Sequence, residues 1–199
     1  ISGLSFSLGL IYWIALLYPY AHIFVTALGY LALVGYVALY FGVFAALLHQ
    51  LPCKTGAPFI FATALIWTAL EWIRSWLLTG FPWGSMGYTQ WNNLPAIQIA
   101  SITGVHGVSF IVVLLNAAIA DMIMSYPNWR REIRAIILPI VIVATCFIYG
   151  IACLYNSENS GVRAKLALIP GNVPQLEKWD FNHVPTIFNR YVELTEKTD

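Results

Sequence analysis

Charge is distributed so unevenly along this 199-residue chain that it divides the sequence into two parts. Only 10% of the residues are charged, and residues 1–129 contain just four of them, Lys54, Glu71, Arg74 and Asp121. All the other charged residues lie between Arg130 and Asp199. Long uncharged apolar stretches are typical of membrane-spanning helices, because hydrocarbon cannot solvate charge. The sequence therefore predicts a membrane domain over residues 1–156, a linker over 157–161 and a water-soluble part over 162–199.

The mean hydropathy of +0.72 also favours a polytopic α-helical membrane domain. A helix needs about 20 mainly apolar residues to cross a bilayer, and on this measure we predict about five crossings or parts of crossings. They fall approximately at residues 1–17, 22–49, 57–79, 104–125 and 135–155. The apolar run at residues 94–102 is too short to span, so we expect it to be interfacial or re-entrant.

Basic residues orient the predicted crossings. Lys54 follows the second crossing, and Arg130, Arg131 and Arg134 follow the fourth. Because short loops that carry Lys and Arg stay in the cytoplasm, we expect both loops on that side. The loop at residues 80–103 and the part after Asn156 then lie on the opposite side. The net charge of +1 gives no reason to expect nucleic acid as a partner.

The third predicted crossing ends in the most unusual stretch of the chain, EWIRSWLLTGFPWGSMGYTQ at residues 71–90. Glu71 and Arg74 lie three residues apart on one helical face, where they can neutralise each other. An ionisable side chain in hydrocarbon costs about 2.5–3.5 kcal/mol on insertion scales, so it indicates a functional site by default. Two interpretations stay open: a structural ion pair or helix contact, or a pair in which Arg74 faces a lipid phosphate or supports the loop that begins at Thr79.

The part after Asn156 has the pattern of a β-loop-α unit that opens an α/β domain. Residues 162–169 read as a buried strand, with Leu166, Leu168 and Ile169 as core residues. A helix is predicted to begin near Asn182 as its N-cap, with Pro185 in the first turn. Its apolar stripe, which would pack on a sheet, comprises Val184, Ile187, Phe188, Tyr191 and Leu194.

Three stretches in this order resemble bacterial apolipoprotein N-acyltransferases. They are residues 71–90, GVHGVSF at residues 104–110 with Asn116 following, and GNVPQLEKW at residues 171–179. The resemblance covers most of the chain and implies a multi-helix membrane domain with a nitrilase-like α-β-β-α domain inserted before the last helix, facing the periplasm. On this alignment the chain lacks its N-terminal helices, the greater part of the nitrilase-like domain and the final helix. Pro170 departs from the Gln that commonly precedes Gly-Asn in this motif.

The resemblance also implies a reaction. The family moves an acyl chain from a phospholipid to the N-terminal amine of diacylglyceryl-cysteine in a lipoprotein, through a thioester on a nitrilase-type Cys. A Glu acts as base and a Lys stabilises the oxyanion, and we expect all three beyond Asp199, so that this chain alone is inactive. The implied partners are the phospholipid donor, the lipoprotein acceptor and membrane lipids of the bacterial inner membrane. The mechanism requires no metal, nucleotide or other cofactor.

The substrate- and lipid-binding residues implied by the resemblance lie in two of the motifs. Trp179 ends GNVPQLEKW, on a loop that in the family lies by the active site and the lipid entrance. A lipid-binding floor beneath the nitrilase-like domain is expected from residues 71–90, comprising Glu71, Arg74, Phe81, Pro82, Trp83, Tyr88 and Gln90. The three cysteines, Cys53, Cys146 and Cys153, have no spacing typical of a metal site, and we expect structural roles for them.

Two rival functions remain at this point. Several apolar helices with an intramembrane Glu and Arg also suit a transporter or channel component, although no internal repeat supports it. A related nitrilase-like membrane acyltransferase with another amine acceptor is the second rival, because acceptor choice would depend on residues outside this chain.

Overall fold

The computed structural model describes residues 1–125, 129–158 and 166–197, and within these ranges the chain forms helices and no strand. The α-helices are α1 Ser2–Leu10, α2 Ile23–Gln50, α3 Gly56–Arg74, α4 Leu94–Ile97, α5 Ala100–Met124, α6 Trp129–Glu158 and α7 Val184–Glu196. Short 3-10 helices lie at Tyr12–Leu17, Met86–Gln90 and Phe181–His183, and Leu77–Thr79 form a turn with left-handed backbone. The predicted helical membrane domain is therefore confirmed.

Four helices in the described part of the chain are long and apolar enough to cross a membrane: α2, α3, α5 and residues 133–156 of α6. The first predicted crossing or part of a crossing, at residues 1–17, is not one continuous helix. Helix α1 has nine residues, about 14 Å at 1.5 Å per residue, which is shorter than a hydrocarbon core of about 30 Å. The backbone leaves helical geometry at Ile11, with φ −115° and ψ 17°, before the 3-10 turn.

The core of the membrane domain lies where α3 meets α5, the most extensively packed pair of helices. Small and branched side chains meet there, so that the two backbones approach closely. The fully or almost fully buried members are Ile60, Ala64, Leu114, Ala117 and Ala118. Helix α6 packs on this core through Ala135, Ile136 and Ile142.

Side chains cap the C-terminal end of α2 and the N-terminal end of α3, on either side of the loop that contains Lys54. The Lys54 ammonium donates to the carbonyl of Leu48 over 2.9 Å and also to that of His49, which satisfies carbonyls at the end of α2. The buried Asp121 of α5 accepts a hydrogen bond from the Gly56 amide over 3.0 Å. A carboxylate supplied by a neighbouring helix thus caps the N-terminus of α3.

The C-terminal segment, residues 166–197, differs from the predicted β-loop-α unit. Residues 162–165 of the predicted strand and its linker residues 159–161 lie outside the described residues, and residues 166–169 have no regular secondary structure. Leu166 and Leu168 are 89% and 95% exposed, so placing them in a core is wrong for this chain. A strand buries its side chains only against a partner sheet or helix, and none covers them here.

The predicted helix of this segment is confirmed as α7, with Pro185 in its first turn. Its N-cap is His183 rather than the predicted Asn182, and it has no side-chain cap hydrogen bond. Asp180 caps the preceding 3-10 turn, where its side chain accepts a hydrogen bond from the Asn182 amide.

Candidate functional site

Helix α3 stops at Arg74 and the chain reverses through a strained turn. Leu78 and Thr79 have positive φ angles of 52° and 72°, in the left-handed region that costs non-glycine residues about 1–3 kcal/mol each. Gly80 follows at φ +85°, and a Cβ atom there would lie 2.3 Å from the Ser75 carbonyl oxygen. The turn therefore requires glycine at this position, and contacts further along the loop must hold it.

Residues 81–86, which we call the anchored loop, are tied at both ends to the last turn of α3. The Phe81 amide donates to the Arg74 carbonyl over 2.8 Å. The Met86 amide donates to Glu71 Oε1, also over 2.8 Å. Inside the loop, the buried Ser85 hydroxyl donates to the Pro82 carbonyl. Glu71 and Arg74, one helical turn apart, thus fix the beginning and the end of one short loop.

Glu71 is 3% exposed and organises the region beneath the anchored loop. Its Oε1 atom accepts from the Met86 amide and from the Trp67 indole, each over 2.8 Å. Its Oε2 atom is buried without a hydrogen-bond partner. Trp67 lies one turn earlier on α3 and packs edge-on against Phe41 and Phe44 of α2. The carboxylate therefore links α3, the anchored loop and, through Trp67, helix α2.

Arg74 is also 3% exposed. Its guanidinium carbon lies 5.9 Å from the centre of the Tyr40 ring, a cation–π distance. The Nε and Nη2 atoms are buried without a partner. No ion pair within 4.0 Å joins Arg74 to Glu71 in the described ranges, so the direct neutralisation expected from their spacing is not formed.

The 3-10 helix that follows the loop, Met86–Gln90, packs against α5. The Gly87 amide donates to the buried hydroxyl of Ser109 over 2.8 Å. A Cβ atom on Gly87 would lie 2.6 Å from the Val105 carbonyl oxygen, so only glycine permits this approach. Ser109 and Val105 belong to the GVHGVSF motif, and the structure therefore joins two of the three motifs at one contact.

The outer surface of the anchored loop is aromatic. Trp83 packs on Trp13 with 4.6 Å between ring centres and on Phe81 with 5.4 Å. Trp83 remains 46% exposed, and Pro82 is exposed beside it. Tyr88 is 54% exposed, whereas Gln90 is half-buried and donates to the Thr89 hydroxyl. The predicted residues of the 71–90 stretch thus separate into a buried pair and an exposed aromatic surface.

Two apolar grooves border α5 in the described part of the chain. The larger, about 430 Å³, is lined mainly by Phe41, Phe44, Trp67, Met86 and Val113. The smaller, about 180 Å³, has Gln90 and Asn93 among its polar residues and Val108, Ile111 and Phe147 among its apolar ones. Val112 and Asn116 border both grooves. The larger groove has the size and the apolar character of a small-molecule or lipid-chain site, and the smaller one shares only the apolar character.

Trp179 lies in the C-terminal segment and is 81% exposed. No ring contact joins it to Phe81 or Trp83 among the described aromatic pairs. The next residue, Asp180, accepts from the Asn182 amide and lies 2.9 Å from His183 Nδ1. The Asn182 amide first, and His183 second, hold the pKa of the Asp180 carboxyl below its ordinary value. Trp179 is thus exposed beside a capped turn, and no ring contact in the described part of the chain joins it to the other predicted site residues.

Four residues of this site were not singled out from the sequence: Trp13, Tyr40, Trp67 and Ser109. Trp67 lies four residues before Glu71, a spacing at which side chains on a helix meet. The contact between Trp67 and Glu71 could therefore have been predicted from the sequence. Ser109 lies inside a motif that was recognised only as a whole. Trp13 and Tyr40 come from distant parts of the chain, and no local pattern indicates their contacts.

Four apolar helices of spanning length, with a loop fixed on a buried Glu and Arg at the end of one of them, define a polytopic helical membrane protein. The family model of the apolipoprotein N-acyltransferase N-terminal domain matches residues 1–118. The chain belongs to the apolipoprotein N-acyltransferase family.

Curated relatives support this assignment. An apolipoprotein N-acyltransferase of Geobacter metallireducens is 37% identical over 99% of the chain and 39% of its own length. That of Photobacterium profundum is 34% identical over 80% of the chain and 30% of its length. That of Shewanella oneidensis is 35% identical over 66% of the chain and 24% of its length. The chain therefore spans less than two fifths of the length of these relatives.

Proposed function

We propose that this chain is part of an enzyme that transfers an acyl chain from a phospholipid to the N-terminal amine of diacylglyceryl-cysteine in lipoproteins. The observation that carries the proposal is the extent of the similarity: a relative named apolipoprotein N-acyltransferase aligns with 99% of the chain. That alignment length takes in the anchored loop, the GVHGVSF motif and GNVPQLEKW. Shared spanning helices alone would fit many membrane proteins, whereas the combination of these motifs is specific.

The chemistry we propose has two steps and takes place on residues beyond Asp199. A Cys thiolate attacks an acyl ester carbonyl of the phospholipid, a lysophospholipid leaves, and a thioester forms. The free amine of the lipoprotein then attacks the thioester, an amide forms, and the thiol is released. A Glu serves as the base in each step and a Lys stabilises the oxyanion, so that one difficult acyl transfer becomes two easier ones. Residues 162–199 would begin the nitrilase-like domain that carries them.

Within the chain, we assign lipid contact to the exposed aromatic surface of the anchored loop. Phe81, Pro82 and Trp83 would form a floor on which the polar part of the phospholipid lies, with Tyr88 and Gln90 at its side. Glu71 and Arg74 support this floor from beneath, because their side chains are buried and their atoms hold both ends of the loop. The two apolar grooves beside α5 are suitable for acyl chains.

The proposed location is the bacterial inner membrane, with the anchored loop and the C-terminal segment on the periplasmic side. Lys54 lies in the loop between α2 and α3, and Arg130, Arg131 and Arg134 lie in the first turns of α6, at the other ends of the spanning helices. Basic residues are retained on the cytoplasmic side during insertion. This orientation would place the anchored loop on the same side as the nitrilase-like domain.

The proposal is tested by replacing Trp179 with Ala in the full-length protein and measuring acyl transfer from a phospholipid to a diacylated lipopeptide. We expect a reduction in transfer of at least tenfold with little change in protein abundance, because Trp179 is exposed and can contact substrate without supporting the fold. Trp91→Ala is the matched control, since Trp91 is 74% exposed and lies outside the three motifs. Equal transfer by the Trp179 variant and the parent removes Trp179 from the site.

The 199-residue chain on its own should show no transfer, and any turnover by it would contradict the assignment of the nucleophile to residues beyond Asp199. The acceptor is tested separately by offering the full-length protein a diacylated lipopeptide and, in parallel, simple primary amines. Acylation of the simple amines alone would identify a related acyltransferase with a different acceptor.

A further inference from the structure

Two buried polar side chains of the membrane domain have unpartnered atoms at the same small cavity. Oε2 of Glu71 and the Nε and Nη2 atoms of Arg74 are buried and make no hydrogen bond. Both side chains line a cavity of about 10 Å³, together with Tyr40, Phe41, Trp67 and Leu70. Leaving a buried polar atom unpaired costs about 1–3 kcal/mol, and more when the group is charged. Such a cluster is therefore expected to hold a ligand.

The two side chains restrict the chemistry of that ligand. A phosphate or another anion would be attracted by Arg74 but repelled by the carboxylate of Glu71. A cation would be attracted by the carboxylate of Glu71 but repelled by the guanidinium of Arg74. A small neutral group that both accepts and donates hydrogen bonds satisfies the guanidinium and the carboxylate together.

Size restricts it further. A cavity of about 10 Å³ is at the lower limit for one water molecule and leaves no room for a headgroup. The side-chain oxygens of Glu71 and nitrogens of Arg74 are more than 4.0 Å apart, a separation at which two polar groups are commonly bridged by water.

We propose that this cavity is a binding site for a single water molecule that accepts a hydrogen bond from the Arg74 guanidinium and donates one to Glu71 Oε2. The water completes a network in which Glu71 Oε1 already holds Trp67 and Met86, and the Arg74 carbonyl holds Phe81. The last turn of α3 and both ends of the anchored loop then form one connected unit. This inference concerns binding and does not depend on the proposed acyl transfer.

The direct test is a structure of the full-length protein, purified in a detergent with an uncharged headgroup, at a resolution that shows ordered water. We expect one isolated density peak within hydrogen-bond distance of Glu71 Oε2 and of Nε or Nη2 of Arg74. A direct contact between the two side chains, an empty cavity, or the density of a phosphate at Arg74 would each overturn the proposal.

A second test uses thermal unfolding of the full-length protein with Glu71→Gln, Arg74→Gln and the double variant. Because the water couples the two residues, each single change should lower the Tm and the double change should lower it by less than the sum. Thr68→Ala combined with Glu71→Gln is the control pair, and it should be additive because Thr68 bonds only within α3 and does not line the cavity. Additivity between Glu71→Gln and Arg74→Gln contradicts the bridge.

The same variants separate water from phosphate. Inorganic phosphate and detergent-solubilised phosphatidylglycerol are added in separate experiments, and the rise in Tm is compared between the parent and Arg74→Gln. The water bridge predicts equal rises in both proteins. A rise in Tm that is present in the parent and lost in Arg74→Gln means that the guanidinium binds phosphate, which overturns the proposal. The additive that causes the rise then shows whether the ligand is a lipid headgroup or free phosphate.

Discussion

The anchored loop and the C-terminal segment both contain motif residues, yet they differ in how firmly the chain holds them. Two backbone amides of the anchored loop donate hydrogen bonds, one to the Arg74 carbonyl and one to the Glu71 carboxylate. The C-terminal segment leaves Leu168, Trp179 and Phe181 from 81% to 95% exposed. The loop is specified by contacts within the chain, whereas the C-terminal segment has few contacts to specify it.

Exposed apolar side chains also mean different things in the two regions. On α2 and α5, which are long and apolar enough to cross a membrane, exposed residues such as Leu39 and Ile123 carry no cost where they meet lipid. In the C-terminal segment the same exposure is an uncovered apolar surface in a region expected to meet water. An exposed apolar side chain therefore indicates a missing packing partner only where the chain meets water, and not where it meets lipid.

The largest effect that would test this contrast is expected from Glu71→Ala. The change leaves the Met86 amide and the Trp67 indole without their acceptor and Arg74 without a buried countercharge, which should cost about 3–5 kcal/mol of unfolding free energy. Thermal unfolding of the purified chain measures it. Glu193→Ala on exposed α7 is the control, with an expected change within about 0.5 kcal/mol. Similar losses of unfolding free energy in both variants would show that contacts within the chain stabilise the anchored loop no more than the C-terminal segment.

A smaller loss is expected from Gly87→Ala. The added Cβ would lie 2.6 Å from the Val105 carbonyl oxygen, and overpacking of this kind costs about 1–3 kcal/mol. Gly29→Ala is the matched control, because no atom lies within 4 Å of a Cβ at that position of α2. It should be neutral or slightly stabilising, since alanine is the better helix former. If Gly87→Ala unfolds at the temperature of the parent, the close contact between the 3-10 helix and α5 is not formed.

The smallest effect concerns the start of α7. The pKa of Asp180 is held below its ordinary value by the Asn182 amide and His183. A carboxyl with a lowered folded pKa contributes stability above its unfolded pKa of about 3.9, and that contribution is lost as pH falls through the lower folded value. The Asn182 amide resonance in an NMR titration should therefore show one step below about pH 4, which is separate from any step caused by the neighbouring His183. In Asp180→Asn this titration should disappear, and its persistence would assign it to another group.

Much of the fold could be predicted from the sequence, because membrane-spanning helices need long apolar stretches that are visible without any structure. The helices predicted at residues 22–49 and 104–125 correspond to α2 and α5 within a few residues. The break at Ile11 could not be predicted, because residues 1–17 carry no charge and no Pro, and a glycine such as Gly9 is common in spanning helices. The strand at residues 162–169 was predicted from an apolar pattern, but such a segment forms a strand only when another strand or a helix packs beside it.

The sequence by itself determined that Glu71 and Arg74 lie on one face at the end of a spanning helix, because helical spacing and hydrophobicity are local properties. It also indicated the family, since the motifs are contiguous stretches of residues. Only the tertiary structure decided that the two side chains do not pair directly, and that the Glu71 carboxylate and the Arg74 backbone carbonyl hold the two ends of the anchored loop. That outcome depends on the left-handed turn at Leu78 and Thr79, the approach of Gly87 to Ser109, and the Tyr40 ring on α2. These contacts join residues far apart in the chain, and the distances that select among them exist only after the helices have packed.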